Sequence, residues 1–143
     1  MISQAFDPEK FVQAAGDAII AANTDGLIIF WNPAAERIFG YTKNEALNHS
    51  LDLIIPERLR ERYWKGYRQV MKSGHTRYGS ELLRVPAVHK DGRPLSISFT
   101  VALLFSPSAQ IQAIAAIIRD ETNRWNEERA LRQRVLELEA KNN

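Results

Sequence analysis

The chain has 143 residues, of which 45% are hydrophobic and 25% charged, with a formal net charge of +2; that suits one domain with short appendages, able to bury about 68–70% of its unfolded surface without staples. It contains no cysteine, which excludes disulfides, thiolate metal sites and thiol nucleophiles, and so small a charge argues against nucleic acid as a direct partner. The longest apolar runs, residues 18–22 and 114–118, fall short of the roughly 20 residues of a membrane helix. Asp7, Glu9 and Lys10 interrupt the N-terminus before a signal-peptide core can form, so a cytoplasmic chain without membrane contact is expected.

Asp7-Pro8-Glu9 starts a helix, with Asp as N-cap, Pro at the first position and an acid in the first turn. It runs to about residue 15 with Phe11, Val12 and Ala15 on one side, and Gly16-Asp17 ends it. Residues 18–22 and 27–31 are strands rich in branched apolar side chains, joined across Asn23-Thr24-Asp25-Gly26 with Asp-Gly at the turn. Asn32-Pro33 breaks the second strand and presets a short helix. Ala34, Ala35, Ile38 and Phe39 recur along it at helical spacing until Gly40.

Two short segments, about 43–47 and 50–54, precede a long amphipathic helix from Pro56 to about Ser73 with Leu59, Tyr63, Gly66, Tyr67 and Val70 on its stripe. Arg58, Arg60, Arg62, Lys65, Arg68 and Lys72 cluster there, but Glu57 and Glu61 interleave, which favours a solvated face over a phosphate-binding one. Residues 80–88 and 93–104 flank Lys90-Asp91-Gly92 as a second hairpin. Its second strand alternates, with Leu95, Ile97, Phe99, Val101 and Leu103 on one face and Ser96, Ser98 and Thr100 on the other. After a loop at 105–109, residues 111–119 form the last strand, and Asn123 is expected to cap a final helix to about Lys141. Leu131, Val135 and Leu138 follow four-three spacing on it, and Glu128 with Arg132 adds an i,i+4 pair. About two heptads are too few to specify a coiled coil alone. The order predicts an α+β fold, a five-stranded antiparallel sheet with short helices and one long helix on one face. A flanking helix at 1–16 precedes the body at 17–122, and a C-terminal helix at 123–143 follows it.

Four segments in order carry a family resemblance. The hairpin followed by Asn32-Pro33-Ala34-Ala35-Glu36-Arg37-Ile38-Phe39-Gly40-Tyr41 resembles the opening of a PAS domain. Asp52-Leu53-Ile54-Ile55-Pro56-Glu57 resembles that family's approach to its long helix. Lys90-Asp91-Gly92-Arg93 is similar to the turn between its long strands, and Arg119-Asp120-Glu121-Thr122 to its closing motif. The resemblance spans about Asp17 to Thr122. It implies a sensory, signal-transducing module with a pocket between sheet and long helix, where some members hold haem, flavin or a small organic molecule and others nothing.

Asn32, Phe39, Tyr63, Tyr67, Tyr78, Arg84 and Phe99 are the candidate pocket residues, with Trp64 beside them and Arg84 placed to meet a ligand carboxylate. The alternative is that these aromatic rings pack the pocket shut. A cysteinyl-flavin adduct is excluded. Haem-binding members carry an iron-ligating His seven residues after the Pro; here that residue is Tyr63, and no histidine lies on the long helix. Iron accepts Tyr, but a pocket-facing Tyr ordinarily serves the core with its hydroxyl satisfied, so haem ranks behind an organic ligand. His49, His75 and His89 share no spacing, which implies no metal cluster. Asp17, Asp25, Asp52, Asp91 and Asp120 suit turns and caps rather than catalysis, and no enzyme motif is present.

By the resemblance, Asp120 and Thr122 fix the angle of the exit helix. Glu121 departs from the usual Ile or Val, leaving Trp125 as a candidate apolar anchor. Phe11 and Val12, with Leu131, Val135 and Leu138, offer stripes for a homodimer. Three functions remain: a ligand sensor signalling to a downstream domain or partner protein, a ligand-free interaction and dimerisation module, and a haem gas sensor.

Overall fold

A computed structural model describes residues 5–76 and 81–142. Helix α1 (Pro8–Ala14) starts as its residues dictate, Asp7 Oδ1 accepting the Glu9 N–H at 3.0 Å. Strands β1 (Ala18–Asn23) and β2 (Ile28–Trp31) pair antiparallel, with a shift of register between Ala21 and Ala22. Asn23 organises their turn: its Oδ1 accepts the N–H groups of Asp25 and Leu27 at 2.9 and 3.0 Å. Gly26 sits at φ +79°, and a Cβ there would lie 2.3 Å from the Trp64 ring. Backbone and neighbour both require glycine.

Helices α2 (Pro33–Phe39) and α3 (Lys43–Ala46) follow, the latter closed by a reciprocal Thr42–Glu45 capping box. Two 3-10 turns, Leu51–Ile54 and Glu57–Leu59, lead into α4 (Arg60–Ser73). The single helix expected from Pro56 thus opens as a 3-10 turn and passes into α geometry at Arg60, with Leu59 at φ −106°, ψ −5° at the join. Gly74 in the left-handed region ends α4.

Strands β3 (Leu83–Val88), β4 (Pro94–Phe105) and β5 (Ile111–Asp120) complete one antiparallel sheet in the order β2-β1-β5-β4-β3. The start expected for β3 at residue 80, and Tyr78, lie outside the described residues. Pro86 is tolerated because β3 is an edge strand. Register aligns Ala18, Ile118, Phe99 and Leu83 in one row and Ile20, Ala116 and Val101 in the next. The main core, including Ile20, Ile28, Trp31, Phe39, Leu51, Ile54, Tyr67 and Ile97, lies between these rows and the helices. The last helix, α5 (Thr122–Lys141), starts one residue before the expected cap. Asn123 does not cap it; Asp120 Oδ1 accepts the Thr122 N–H at 3.0 Å instead.

Candidate functional site

A cavity of about 500 Å³ lies between the sheet and α4. Ile20 and Ala22 of β1, Ile97, Phe99 and Val101 of β4, and Ile114 and Ile118 of β5 form one wall. Tyr63, Gly66, Tyr67 and Val70 of α4 form the other. The helix stripe and the strand alternation therefore meet across this space. A Cβ at Gly66 would touch nothing within 4 Å, so this position leaves room rather than relieving a close approach.

Three rings along α4 are mutually packed: Tyr63 and Trp64 at 5.2 Å, Trp64 and Tyr67 at 5.1 Å, and Tyr63 and Tyr67 at 6.0 Å between centroids. Trp64 Nε1 donates to Asp52 Oδ1 at 2.6 Å, and the Tyr67 hydroxyl donates to the Asn23 carbonyl at 2.5 Å. α4 is thereby clasped both to the 3-10 turn Leu51–Ile54 and to the end of β1 at Asn23. Burial, with Asp25 as a lesser cause, pushes the Tyr67 phenol up to about 12. Burial likewise raises Tyr63 well above the ordinary phenol range, aided by Tyr67 and Asp52. Both phenols remain neutral hydrogen-bond donors at physiological pH.

Of the candidate pocket residues, Tyr63, Tyr67 and Phe99 line the cavity. Asn32 does not. It is fully buried as the N-cap of α2, its Oδ1 accepting the N–H groups of Ala35 at 3.0 Å and Ile19 at 2.9 Å. Its Nδ2 donates to the carbonyls of Val12 and Asp17 at 3.0 and 3.2 Å. Phe39 is also fully buried, packed on Trp31 at 5.6 Å and away from the cavity wall. Arg84 stands outside because strand alternation turns Leu83, Val85 and Ala87 inward. It faces Glu121 at 3.9 Å instead.

Haem fits this lining poorly. No histidine stands on α4, and Arg62, exposed on the helix, is the one cation among the described lining residues to meet two propionates. Among the described residues, no three His, Cys, Asp or Glu side chains gather as a metal site.

At the end of β5, Asp120 Oδ1 accepts the Thr122 hydroxyl at 2.5 Å. That hydroxyl oxygen in turn accepts the Ser96 N–H of β4 at 3.0 Å, while Glu121 N–H donates to the Ser96 carbonyl at 2.8 Å. The first turn of α5 is thus tied to the sheet by Asp120 and Thr122. Trp125 does not serve as the inward anchor: it is 46% exposed, with the Arg132 guanidinium over its ring at 5.7 Å. Phe11 on α1 and Leu131, Val135 and Leu138 on α5 are all exposed, and Val12 is half-buried.

The family model of the PAS fold matches residues 7–120, spanning both hairpins, the cavity and the start of the junction. The chain belongs to the PAS family. PAS domains are non-catalytic sensor modules. This one is 23% identical over 120 residues to the oxygen sensor protein DosP of Escherichia coli K12 and 28% identical over 125 residues to the sensor histidine kinase TmoS of Ectopseudomonas mendocina. The alignments cover 84% and 87% of this chain but only 15% and 12% of those proteins. In fold, it is similar to the PAS domain of a Colwellia psychrerythraea protein, with a TM-score of 0.71 at 22% identity over 81% of this chain and 95% of that one. No helix among the described residues of the PAS module is long and apolar enough to cross a membrane.

The sequence reading missed most of the sheet's share of the cavity, Ile20, Ile97, Ile114 and Ile118. For Ile97 the signal was present in the alternation of β4. It also missed Ile117 of β5, 52% exposed in a row with Ile19 and Thr100. The unalternated runs 18–22 and 114–118 carried that signal, because a strand apolar on both faces needs cover on both.

Proposed function

We propose that this PAS module binds a small molecule between sheet and α4 and passes its occupancy to α5, as a homodimer paired through α1 and α5. One observation carries the reading. Ile97 lines the cavity, pairs in register with Asp120, and follows Ser96, whose backbone holds both Glu121 and Thr122. A ligand pressing on this wall acts one residue from the helix junction, and it shifts α5 by as much as it prefers one junction geometry over another. The names of the relatives, an oxygen sensor protein and a sensor histidine kinase, support a sensory role within longer proteins. A downstream domain or partner protein receives the signal from α5.

Pairing with a second copy is supported by Phe11, 61% exposed, and by Leu131, Val135 and Leu138, 66, 51 and 47% exposed. The sensor body then corresponds to 17–122, with 1–16 and 123–143 as flanking helices, in a cytoplasmic protein.

Gly66→Leu tests the reading without breaking the backbone, since leucine is a good helix former and a Cβ at Gly66 meets nothing within 4 Å. Native mass spectrometry of freshly purified protein is expected to show a small-molecule mass excess that Gly66→Leu loses. Amide exchange across residues 121–128 is expected to differ between the two proteins. No excess together with identical exchange would refute ligand sensing, and a Soret band in the absorption spectrum would restore haem.

A further inference from the structure

If the cavity is the sensory site just described, its walls also restrict what it takes. The sheet side presents isoleucine, valine and phenylalanine side chains, and the approach to α4 adds Leu51 and Ile54. Among the described lining residues the single charged side chain is Arg62, exposed on α4. The other cation expected to greet a carboxylate, Arg84, is paired with Glu121 outside. An ionised group carried into such walls would lose its hydration without a buried partner, which costs more than apolar contact returns.

Of the two tyrosine hydroxyls at the cavity, one is held elsewhere and the other is not. The Tyr67 hydroxyl is satisfied by the Asn23 carbonyl, but the Tyr63 hydroxyl has no hydrogen-bond partner among the described residues, although its ring lines the cavity and packs on Trp64 and Tyr67. Burial keeps this phenol protonated. Among the described residues no buried side-chain nitrogen or oxygen lacks a partner, so this hydroxyl is open to the cavity it lines and is free to donate there. The space is also large: at about 500 Å³ it is roughly three times the apolar cavity of about 150 Å³ that accommodates one benzene.

We propose that the cavity takes an uncharged, largely apolar molecule of one or two rings bearing a single hydrogen-bond acceptor, and that the Tyr63 hydroxyl donates to that acceptor. Tyr63 is then the residue that sets orientation, and the isoleucine wall supplies most of the affinity.

Three probes of nearly the same outline separate the contributions: 1-acetonaphthalene has a carbonyl acceptor, naphthalene has none, and 1-naphthoate is ionised at neutral pH. Each is titrated into the full chain by NMR, following the amides of β4 and β5. 1-Acetonaphthalene is expected to bind at least about tenfold more tightly than 1-naphthoate. Tyr63→Phe is expected to weaken 1-acetonaphthalene about fivefold while leaving naphthalene unchanged, which also shows that the variant is folded. Equal or tighter binding of 1-naphthoate would overturn the proposal, and its loss in Arg62→Gln would show that a rim cation recognises acids instead. Equal weakening of both neutral probes by Tyr63→Phe would remove the hydrogen bond from the proposal and so overturn it. Failure of all three probes to bind while Gly66→Leu still alters exchange in α5 would refute this ligand class and leave the sensory reading standing. If Gly66→Leu is also without effect, the sensory reading itself fails.

Discussion

Asn32→Ala should destabilise the fold far more than the loss of one surface amide. The wild-type side chain is fully buried and makes four bonds that join α1, β1 and α2. Loss of the N-cap bond to Ala35 costs about 1 kcal/mol. The Ile19 N–H, partly buried and facing no other acceptor on the β2 side, adds roughly 1–3 kcal/mol once unpaired. The carbonyls of Val12 and Asp17 lose donors too, a smaller cost. The sum is about 3 kcal/mol, or a fall of about 9 °C in melting temperature for a chain of this length. Urea denaturation followed by circular dichroism measures it. Asn32→Asp sharpens the test: it keeps both acceptor bonds but turns a carboxylate oxygen toward the two carbonyls. Its carboxyl pKa should rise on folding, so the variant should be weakest at neutral pH and recover as the pH falls through that raised value. A cost for Asn32→Ala well below about 1 kcal/mol, less than a lone cap, would refute the clamp and reopen a role for Asn32 in binding.

Asp120→Ala should raise amide exchange across residues 123–128 while the sheet stays protected, because Asp120 accepts both the N–H and the hydroxyl of Thr122; unchanged exchange would remove it from the junction. Light scattering should give a dimer mass for the wild type and a monomer for the double variant Val135→Glu, Leu138→Glu, whereas a wild-type monomer at high concentration would end the pairing proposal. Folding raises the Tyr67 phenol from 10 to about 12, so its neutral form contributes stability that is fully present below pH 10 and lost as the pH rises through 12. The urea midpoint should therefore fall more steeply between pH 10 and 11 for the wild type than for Tyr67→Phe, and parallel falls would refute that linkage.

What was legible beforehand depended on how local its cause was. Asn32-Pro33 and Gly40 act within one helix, so α2 is bounded as its sequence indicates. Tyr63, Tyr67 and Phe99 reach the cavity because helical stripe and strand alternation both follow from periodicity. Asn32 was misplaced because its decisive partners, Val12, Asp17 and Ile19, lie 13 to 20 residues away and belong to other elements. Arg84 failed for a different reason. Its strand alternates every residue, so its face hangs on register, and Leu83, Val85 and Ala87 were the inward set. The 3-10 turn Glu57–Leu59 that opens the long helix carries no signal in its residue types.

Two of those departures are one rearrangement. The resemblance calls for an apolar residue at Glu121, and Trp125 was the candidate substitute, yet Trp125 stays half exposed. Glu121 is instead largely covered, with its carboxylate 3.9 Å from Arg84 and 3.7 Å from Arg124. The cation withdrawn from the cavity thus reappears at the helix junction, which leaves the cavity without a buried charge and the junction without an apolar plug. Ion pairs of this exposure are worth about 0–1 kcal/mol each, so several contacts of comparable, small strength hold the first turn of α5 beside the Ser96 and Thr122 bonds. Under the proposed relay, a molecule bound against the Ile97 wall would shift this joint only by as much as it prefers one arrangement of it, and a tightly packed Ile or Val at position 121 would be expected to resist that shift.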